Sequence, residues 1–350
     1  MSGHSLYRRI IAQGAGAWAA PGRWFLRAAE SLYACTVALR NARYDRNGAR
    51  VVLPIPVISV GNITVGGTGK TPFVIELLKR LDHAGFSPAV VSRGYKAGDG
   101  EPNDEERLIR QSCPSVVCVS DPDRALAGEV AHRRFGADVI VLDDGFQHRR
   151  LHRVLDIVLV DATCPFGFDH LLPRGLLREP VESLRRAHVV ALTRCDQVSQ
   201  AALLRIRTRL RGLAGDAVHL KCSHRVTSKE DLSGNPAKEL LAGKRAVLFA
   251  GIGRPRTFAT TVRSLGVDVV GERWWADHHH YRRRDIESLL RPGRFPPHDL
   301  LITTEKDAVK LVTLGGFGNA PILVIKIAID FTEDDGTMLQ TVLDETLGRG

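Results

Sequence analysis

The sequence predicts an α/β fold: a mostly parallel sheet flanked by helices, with a second, smaller α/β domain toward the C-terminus. Short β-branched apolar runs alternate with segments of helical periodicity. Those runs are continuous, which suits parallel strands buried on both faces. A polar stretch from Ser223 to Asn235 separates one series of such units from the next.

The first element is a basic arm. Residues 1–50 hold eight arginines against Glu30 and Asp45, so they carry +6 of the chain's net +10. Phe25, Ala29, Leu32, Thr36 and Leu39 recur at helical spacing, with Trp24, Tyr33 and Tyr44 near the ends and Arg23, Arg27, Arg40 and Arg43 around them. Such a helix suits an anionic bilayer surface, or it packs on its own domain and leaves a basic face in water. The longest charge-free run, Ile10 to Gly22, has 13 residues, against about 20 apolar residues for a transmembrane helix. Arg8-Arg9, Ile10-Ile11 and Ala17-Trp18-Ala19 imitate a signal peptide only faintly, and the segment is expected to be retained.

From there strands are predicted at Ile55–Val60, Ala89–Ser92, Val116–Val119, Val139–Leu142, Ile157–Val160, Val189–Leu192 and Val218–Lys221. A second series follows at Ala246–Ala250, Val267–Val270, Leu300–Thr303 and Ile322–Ile327. The expected division is a membrane-associating segment over 1–48, a nucleotide-binding core over 49–225, a linker over 226–243 and a smaller domain over 244–350. With 44% apolar and 25% charged residues, each domain can bury a core. Six cysteines without metal-ligand spacing indicate a reducing compartment.

Chemistry enters at "NITVGGTGKTP", residues 62–72. Pro72 to Asp82 reads as a helix, with Val74, Ile75, Leu77, Leu78 and Leu81 on one side and Gly85 at its end, so the loop joins a strand to a helix N-terminus. There the backbone N–H groups of Thr64, Val65, Gly66, Gly67, Thr68 and Gly69 can cradle phosphate, Lys70 can reach the β/γ-phosphates and Thr71 a Mg²⁺ ion. The Walker pattern places a Gly where this chain has Thr64. A P-loop site also needs a strand-end carboxylate, and Val139–Leu142 runs into Asp143-Asp144. Asp99, Glu101, Asp104, Glu105 and Glu106 read as a solvated acidic loop in which one residue can serve as a base. Thr193-Arg194-Cys195-Asp196 imitates the guanine-reading N-K-x-D element but misses at Thr193 and Arg194. Asp277-His278-His279-His280 cannot aim three adjacent imidazoles at one metal; an Asp–His pair for proton transfer is its sharper use.

Seven blocks in order, "SVGNITVGGTGKTP", "SRGY", "DDGFQHRRL", "LLPRGLLREP", "FAGIGRPRTF", "ADHHHY" and "TTEKDAVKL", resemble the tetraacyldisaccharide 4′-kinase family. The resemblance implies a P-loop NTPase-type fold. It also implies transfer of the ATP γ-phosphoryl group to the 4′-hydroxyl of a tetraacylated glucosamine disaccharide 1-phosphate, a step of lipid A biosynthesis. The expected place is the cytoplasmic face of the Gram-negative inner membrane. Thr64 is then the family's form of the loop. Lys70 would hold phosphates; Thr71, Asp143 and Asp144 would hold Mg²⁺. Arg93, Arg124, Gln147, His148 and Arg178 would lie near substrate. The family's base, an Asp in a G-D-E-P-like motif with a His partner, falls on Asp104 and His278, although Asn103 replaces the Gly and Glu106 the Pro. An anionic membrane surface is an expected partner, whereas nucleic acid and an obligate protein partner are not. A P-loop GTPase or metallochaperone-like ATPase, and a non-catalytic nucleotide-binding module, are the competing expectations.

Overall fold

A computed structural model describes residues 20–47, 50–94, 102–237, 240–315, 317 and 320–348. The segment around Arg8-Arg9 lies outside the described residues, as do Tyr95, Asp99 and Glu101. The chain forms two compact units, one from 1–95, 115–223 and 331–350, the other from 96–114 and 224–330.

The first unit begins with the helix α1 (Ala20–Asn47) and continues β1 (Val57–Asn62), α2 (Lys70–His83) and β2 (Pro88–Ser92). After residues 96–114 it resumes with β3 (Val117–Ser120), α4 (Arg124–Phe135), β4 (Val139–Asp143), β5 (Leu155–Asp161), β6 (Val189–Thr193), α5 (Gln200–Leu213) and the start of β7 (Val218–Glu230). Its strands lie in the order β3-β2-β4-β1-β5-β6-β7, and each of these pairs is parallel. β1, β4, β5 and β6 are buried along their whole length, which is why they read as unbroken apolar runs. Leu203, Ile206 and Leu210 of α5 pack into one cluster with Val158, Val160, Val190 and Leu192, each side chain contributing about 1.5–3 kcal/mol as an upper bound. Helix α2 buries Phe73, Val74, Leu77, Leu78 and Leu81; Phe73 takes the place expected of Ile75. It ends as predicted: Gly85 adopts φ +78°, and Phe86 N–H returns to Leu81 O at 3.0 Å.

The second unit holds α3 (Asp104–Ser112), β8 (Arg245–Ala250), α6 (Pro255–Ser264), β9 (Asp268–Trp274), α7 (Arg283–Leu290), β10 (Leu300–Thr304) and α8 (Glu305–Leu314), with most of β11 (Ile322–Phe331). Its strands lie in the order β11-β10-β8-β9, again parallel. Alternate residues of β8 enter different cores: Ala246, Leu248 and Ala250 one, Val247 and Phe249 the other. Helix α3 packs against α8.

The units depart from the expected division. Residues 96–114 join the second unit, and β7 runs to Glu230 through the start of the expected linker. The last helix, α9 (Glu333–Leu347), returns to the first unit. There Asp335 accepts the Lys221 N–H at 3.1 Å, Arg80 donates to Gly336 O at 2.9 Å, and Phe331 meets Phe73 edge-on.

Helix α1 docks on the first unit by its polar side. Glu30 accepts the Leu171 N–H at 2.8 Å, the Tyr33 hydroxyl donates to Arg178 O at 3.0 Å, and Arg40 pairs with the fully buried Glu179 at 3.0 Å. Trp24, Phe25, Leu32 and Leu39 of the same helix stay 70–76% exposed. Packing on the domain and an outward apolar face therefore coexist, with Arg40 spent on the docked side. No helix among the described residues is long and apolar enough to cross a membrane.

Candidate functional site

Parallel pairing aligns the C-terminal ends of β1 and β4, with Val60 opposite Asp143, so the loop after β1 and the acids after β4 emerge side by side. Gly61 permits that proximity: a Cβ there would meet Phe146 at 2.6 Å. The opening oddity of the loop, Thr64 for Gly, has a conformational answer. Thr64 is buried in a bridge to Leu177 and its carbonyl accepts Asn62 Nδ2 at 2.7 Å. The left-handed positions fall instead on Gly66 (φ +107°) and Gly69 (φ +92°), which only glycine adopts cheaply. Val65 N–H is tied to Leu176 O at 2.8 Å, and Thr68 is held by Asn62 Nδ2 at 3.0 Å and by the Thr193 hydroxyl on its carbonyl at 3.0 Å.

Gly69 is the N-cap of α2 and offers no side chain to the first turn, leaving backbone N–H groups and the positive helix end for an anion. Lys70, the first helical residue, places Nζ 3.4 Å from Asn62 Oδ1 and 3.3 Å from Asp144 Oδ1. Arg178 grips the same carboxylate at 2.8 and 2.9 Å. Burial pushes the Asp144 pKa up, but Lys70 and Arg178 outweigh it and hold the carboxyl at about 2. Asp143 is almost fully buried beside it. Thr71, in the first turn of the helix, is half-buried.

The expected substrate residues divide. Gln147 bonds inward, donating to Asn62 O at 2.9 Å. Arg124 is buried, which lowers its pKa, and it feels the charges of Arg93, Asp144, Asp121 and Asp143; Arg93 is exposed. His148 is held down to about 4, by burial first and then by Arg124, Arg153 and Arg150. The unfolded chain takes up that proton near the ordinary 6.5, the folded one only near 4, so stability present above pH 6.5 is lost as pH falls through this window. His148→Gln is expected to flatten the fall of the urea midpoint between pH 7 and pH 5. Asp144 titrates below this range, so an equal fall in both proteins would contradict the assignment.

The second unit brings together the other expected pair across 174 residues: His278 Nδ1 lies 3.3 Å from Asp104 Oδ2. Asn103 caps α3 by accepting Glu106 N–H at 2.9 Å, which sets Asp104 as the first helical residue. His278 sits at φ +58°, its N–H directed at Gly251 O and Asp277 Oδ1, both 3.1 Å away. Burial raises the Asp104 pKa, yet His278, Lys310 and Lys306 together hold it at about 2.

Lys306 and Lys310 escaped the sequence reading as site residues. Their signal was the i, i+4 lysine spacing inside "TTEKDAVKL", which puts both on one helix face. His279 instead pairs with Asp285 at 3.0 Å and stacks on Trp275, while His280 is exposed, so the three imidazoles diverge as expected. The N-K-x-D imitation resolves differently: Arg194 pairs with buried Asp161 and donates to Gly67 O at 2.9 Å, bracing the phosphate loop.

Residues 22–347 match the family described as tetraacyldisaccharide-1-P 4′-kinase. Among curated relatives, the tetraacyldisaccharide 4′-kinase of Anaeromyxobacter sp. (strain Fw109-5) is 38% identical over 95% of both chains. The tetraacyldisaccharide 4′-kinase of Syntrophus aciditrophicus (strain SB) is 43% identical over 81% of this chain and 82% of its own. The solved structure of LpxK from Aquifex aeolicus in complex with ATP is 27% identical, covers 93% of this chain and 99% of that one, and superposes with a TM-score of 0.69. A glycine-braced phosphate loop, strand-end acids and a match along nearly the whole chain lead to one assignment: this chain belongs to the tetraacyldisaccharide 4′-kinase family.

Proposed function

We propose that the chain transfers the γ-phosphoryl group of ATP to the 4′-hydroxyl of a tetraacylated glucosamine disaccharide 1-phosphate, in lipid A biosynthesis at the cytoplasmic face of the inner membrane. The observation that carries this is Lys70, directed from a helix N-terminus at the strand-end Asp144, 3.3 Å away. In the first unit, Gly66, Gly67, Thr68 and Gly69 bind the phosphates, while Thr64 and Val65, bridged to Leu177 and Leu176, anchor the loop; Lys70 neutralises the phosphates, and Arg178, Arg124 and Arg93 add positive charge for an anionic substrate. Thr71, Asp143 and Asp144 would hold Mg²⁺, since hydroxyl and carboxylate oxygens suit that hard ion. When bound, it neutralises charge on the phosphates. In the second unit, Asp104 and His278 handle the proton of the acceptor hydroxyl. Arg194 is engaged at Gly67 O, as a brace, so the GTPase reading gains nothing from its motif.

The test is transfer of labelled γ-phosphate from ATP to purified tetraacyldisaccharide 1-phosphate in detergent micelles. Mg²⁺-dependent labelled lipid is the expected result. Hydrolysis of ATP or GTP indifferent to the lipid, with no labelled lipid, would replace this proposal.

The lipid acceptor also gives the exposed face of α1 an occupant. Trp24, Phe25, Leu32 and Leu39 project on the side away from the Glu30, Tyr33 and Arg40 docking contacts, and the arm's net charge of +6 suits anionic headgroups at about 1 kcal/mol per basic residue near the surface. Phe25→Ser, Leu32→Ser and Leu39→Ser together are expected to lower co-sedimentation with vesicles containing anionic phospholipid by about 10-fold or more, since each buried apolar side chain is worth about 1.5–3 kcal/mol. Undiminished sedimentation would remove this face from the membrane contact.

A further inference from the structure

Two side chains at the end of β6 reach the phosphate loop. The Thr193 hydroxyl donates to Thr68 O at 3.0 Å, and the Arg194 guanidinium donates to Gly67 O at 2.9 Å. These carbonyls belong to consecutive peptide units. In a trans peptide the C=O and the N–H of one plane point opposite ways, so a carbonyl drawn toward β6 turns the N–H of the next residue away from it. The two bonds thereby fix the directions of the Thr68 and Gly69 N–H groups together. Packing does not replace them in the middle of the loop, where a Cβ at Gly66 or Gly67 would meet nothing within 4 Å.

The support behind these bonds is rigid, and it is unfavourable in isolation. Arg194 sits at φ +56°, in the left-handed region that a non-glycine side chain enters at a cost. Its guanidinium pairs with Asp161, and both residues are almost fully buried. A buried ion pair of this kind often stabilises a fold no more than apolar side chains of the same volume would. Asp161 is held in turn, accepting the Thr163 N–H at 2.9 Å and the Thr163 hydroxyl at 2.7 Å. It lies opposite Thr193 in the β5–β6 register, and Ala162 N–H closes on Thr193 O at 3.0 Å. The ends of two neighbouring strands are thus tied into one post, and the post carries the loop.

We propose that Thr193 and Arg194, with Asp161 behind them, are positioning residues for the nucleotide: by holding the Thr68 and Gly67 carbonyls toward β6 they aim the Thr68 and Gly69 N–H groups at the phosphates of ATP. The strained backbone and the buried charge are retained for that direction. The proposal rests on the part of the kinase reading that makes this loop the ATP site, and not on the lipid acceptor.

The experiment measures the dissociation constant of the full chain for ATP with Mg²⁺, beside the kinetics of labelled-phosphate transfer. Thr193→Val keeps the shape of the side chain and removes only the donor. It is expected to weaken ATP binding about 5- to 10-fold, the worth of one hydrogen bond, and to raise KM for ATP while KM for the lipid stays. Thr193→Ser, which keeps the hydroxyl, should restore most of the affinity. Arg194→Lys keeps a cation beside Asp161, but a compact ammonium does not reproduce the guanidinium fork that serves Asp161 and Gly67 O together, and a similar loss of ATP affinity is expected. This second variant decides the matter where Thr193→Val fails to fold. Unchanged ATP affinity in either folded variant overturns the proposal, as does an equal loss in Thr193→Ser and Thr193→Val. A wild-type chain that binds no ATP overturns both the proposal and the kinase reading. Weakened ATP binding in the variants of a wild-type chain that labels no lipid supports the role of Thr193 and Arg194 and overturns the acceptor alone.

Discussion

Lys70→Ala is expected to lower labelled-phosphate transfer to the lipid by about 10³-fold, about 4 kcal/mol of transition-state stabilisation. Phosphoryl transfer asks a protein chiefly for position and neutralising charge, and a lysine at the first turn of a helix after a phosphate loop supplies both. The variant is not expected to unfold. Lys70 is one of two cations on Asp144, and Arg178 keeps its 2.8 Å contact there, so the carboxylate is not left without a partner. Turnover and stability should therefore separate, with a collapsed kcat and a thermal midpoint within a few degrees of wild type. Lys70→Arg should rescue little, because a planar guanidinium fork does not reproduce a compact point charge at the helix start. Transfer by Lys70→Ala at more than about a tenth of the wild-type rate would remove the loop lysine from the mechanism.

Much of this site was legible from local pattern. Every predicted strand has a counterpart; β1, β4, β5 and β6 were the plainest, because strands buried throughout leave unbroken apolar runs. The loop between β1 and α2 and the acids after β4 follow from the same rule, since parallel neighbours present their C-terminal ends together. What stayed hidden was non-local or directional. Spacing cannot say that Thr64 would sit in a bridge while Gly66 and Gly69 take the left-handed turns. Composition placed Asp104 in a solvated acidic loop; Asn103 capping and the approach of His278, Lys306 and Lys310 make it a fixed, half-buried carboxylate. Only the family resemblance pointed to it. Arginine counting likewise could not tell that Arg40 turns to buried Glu179 and Arg194 to the phosphate loop, while Trp24, Phe25, Leu32 and Leu39 face outward. Residues 96–114 and α9 cross between the units because their partners are tertiary: α3 packs on α8, and Asp335 holds the Lys221 N–H.

Asp104→Asn is expected to lower kcat on the order of 10²-fold or more while leaving ATP affinity intact. The substitution keeps the shape of the side chain and removes the charge that faces Lys310 at 2.9 Å and His278 at 3.3 Å. With its pKa at about 2, Asp104 is ionised across the neutral range, so the loss should not depend on pH between about 5 and 9. So low a pKa makes a weak base in the ground state. That is compatible with a loose phosphoryl-transfer transition state, in which the hydroxyl needs its proton accepted only late, as negative charge is relinquished to the transferring group. On the proposed mechanism the carboxylate orients the hydroxyl and offers a charged acceptor at the end of the step, whereas an amide offers neither charge nor a place for the proton. The side-chain partners of Asp104 are His278 and Lys310, so the dissociation constant for ATP should change by less than about twofold. A parallel loss of kcat and ATP affinity would make Asp104 structural, and an unchanged kcat would transfer the proton-handling role away from the Asp104–His278 pair.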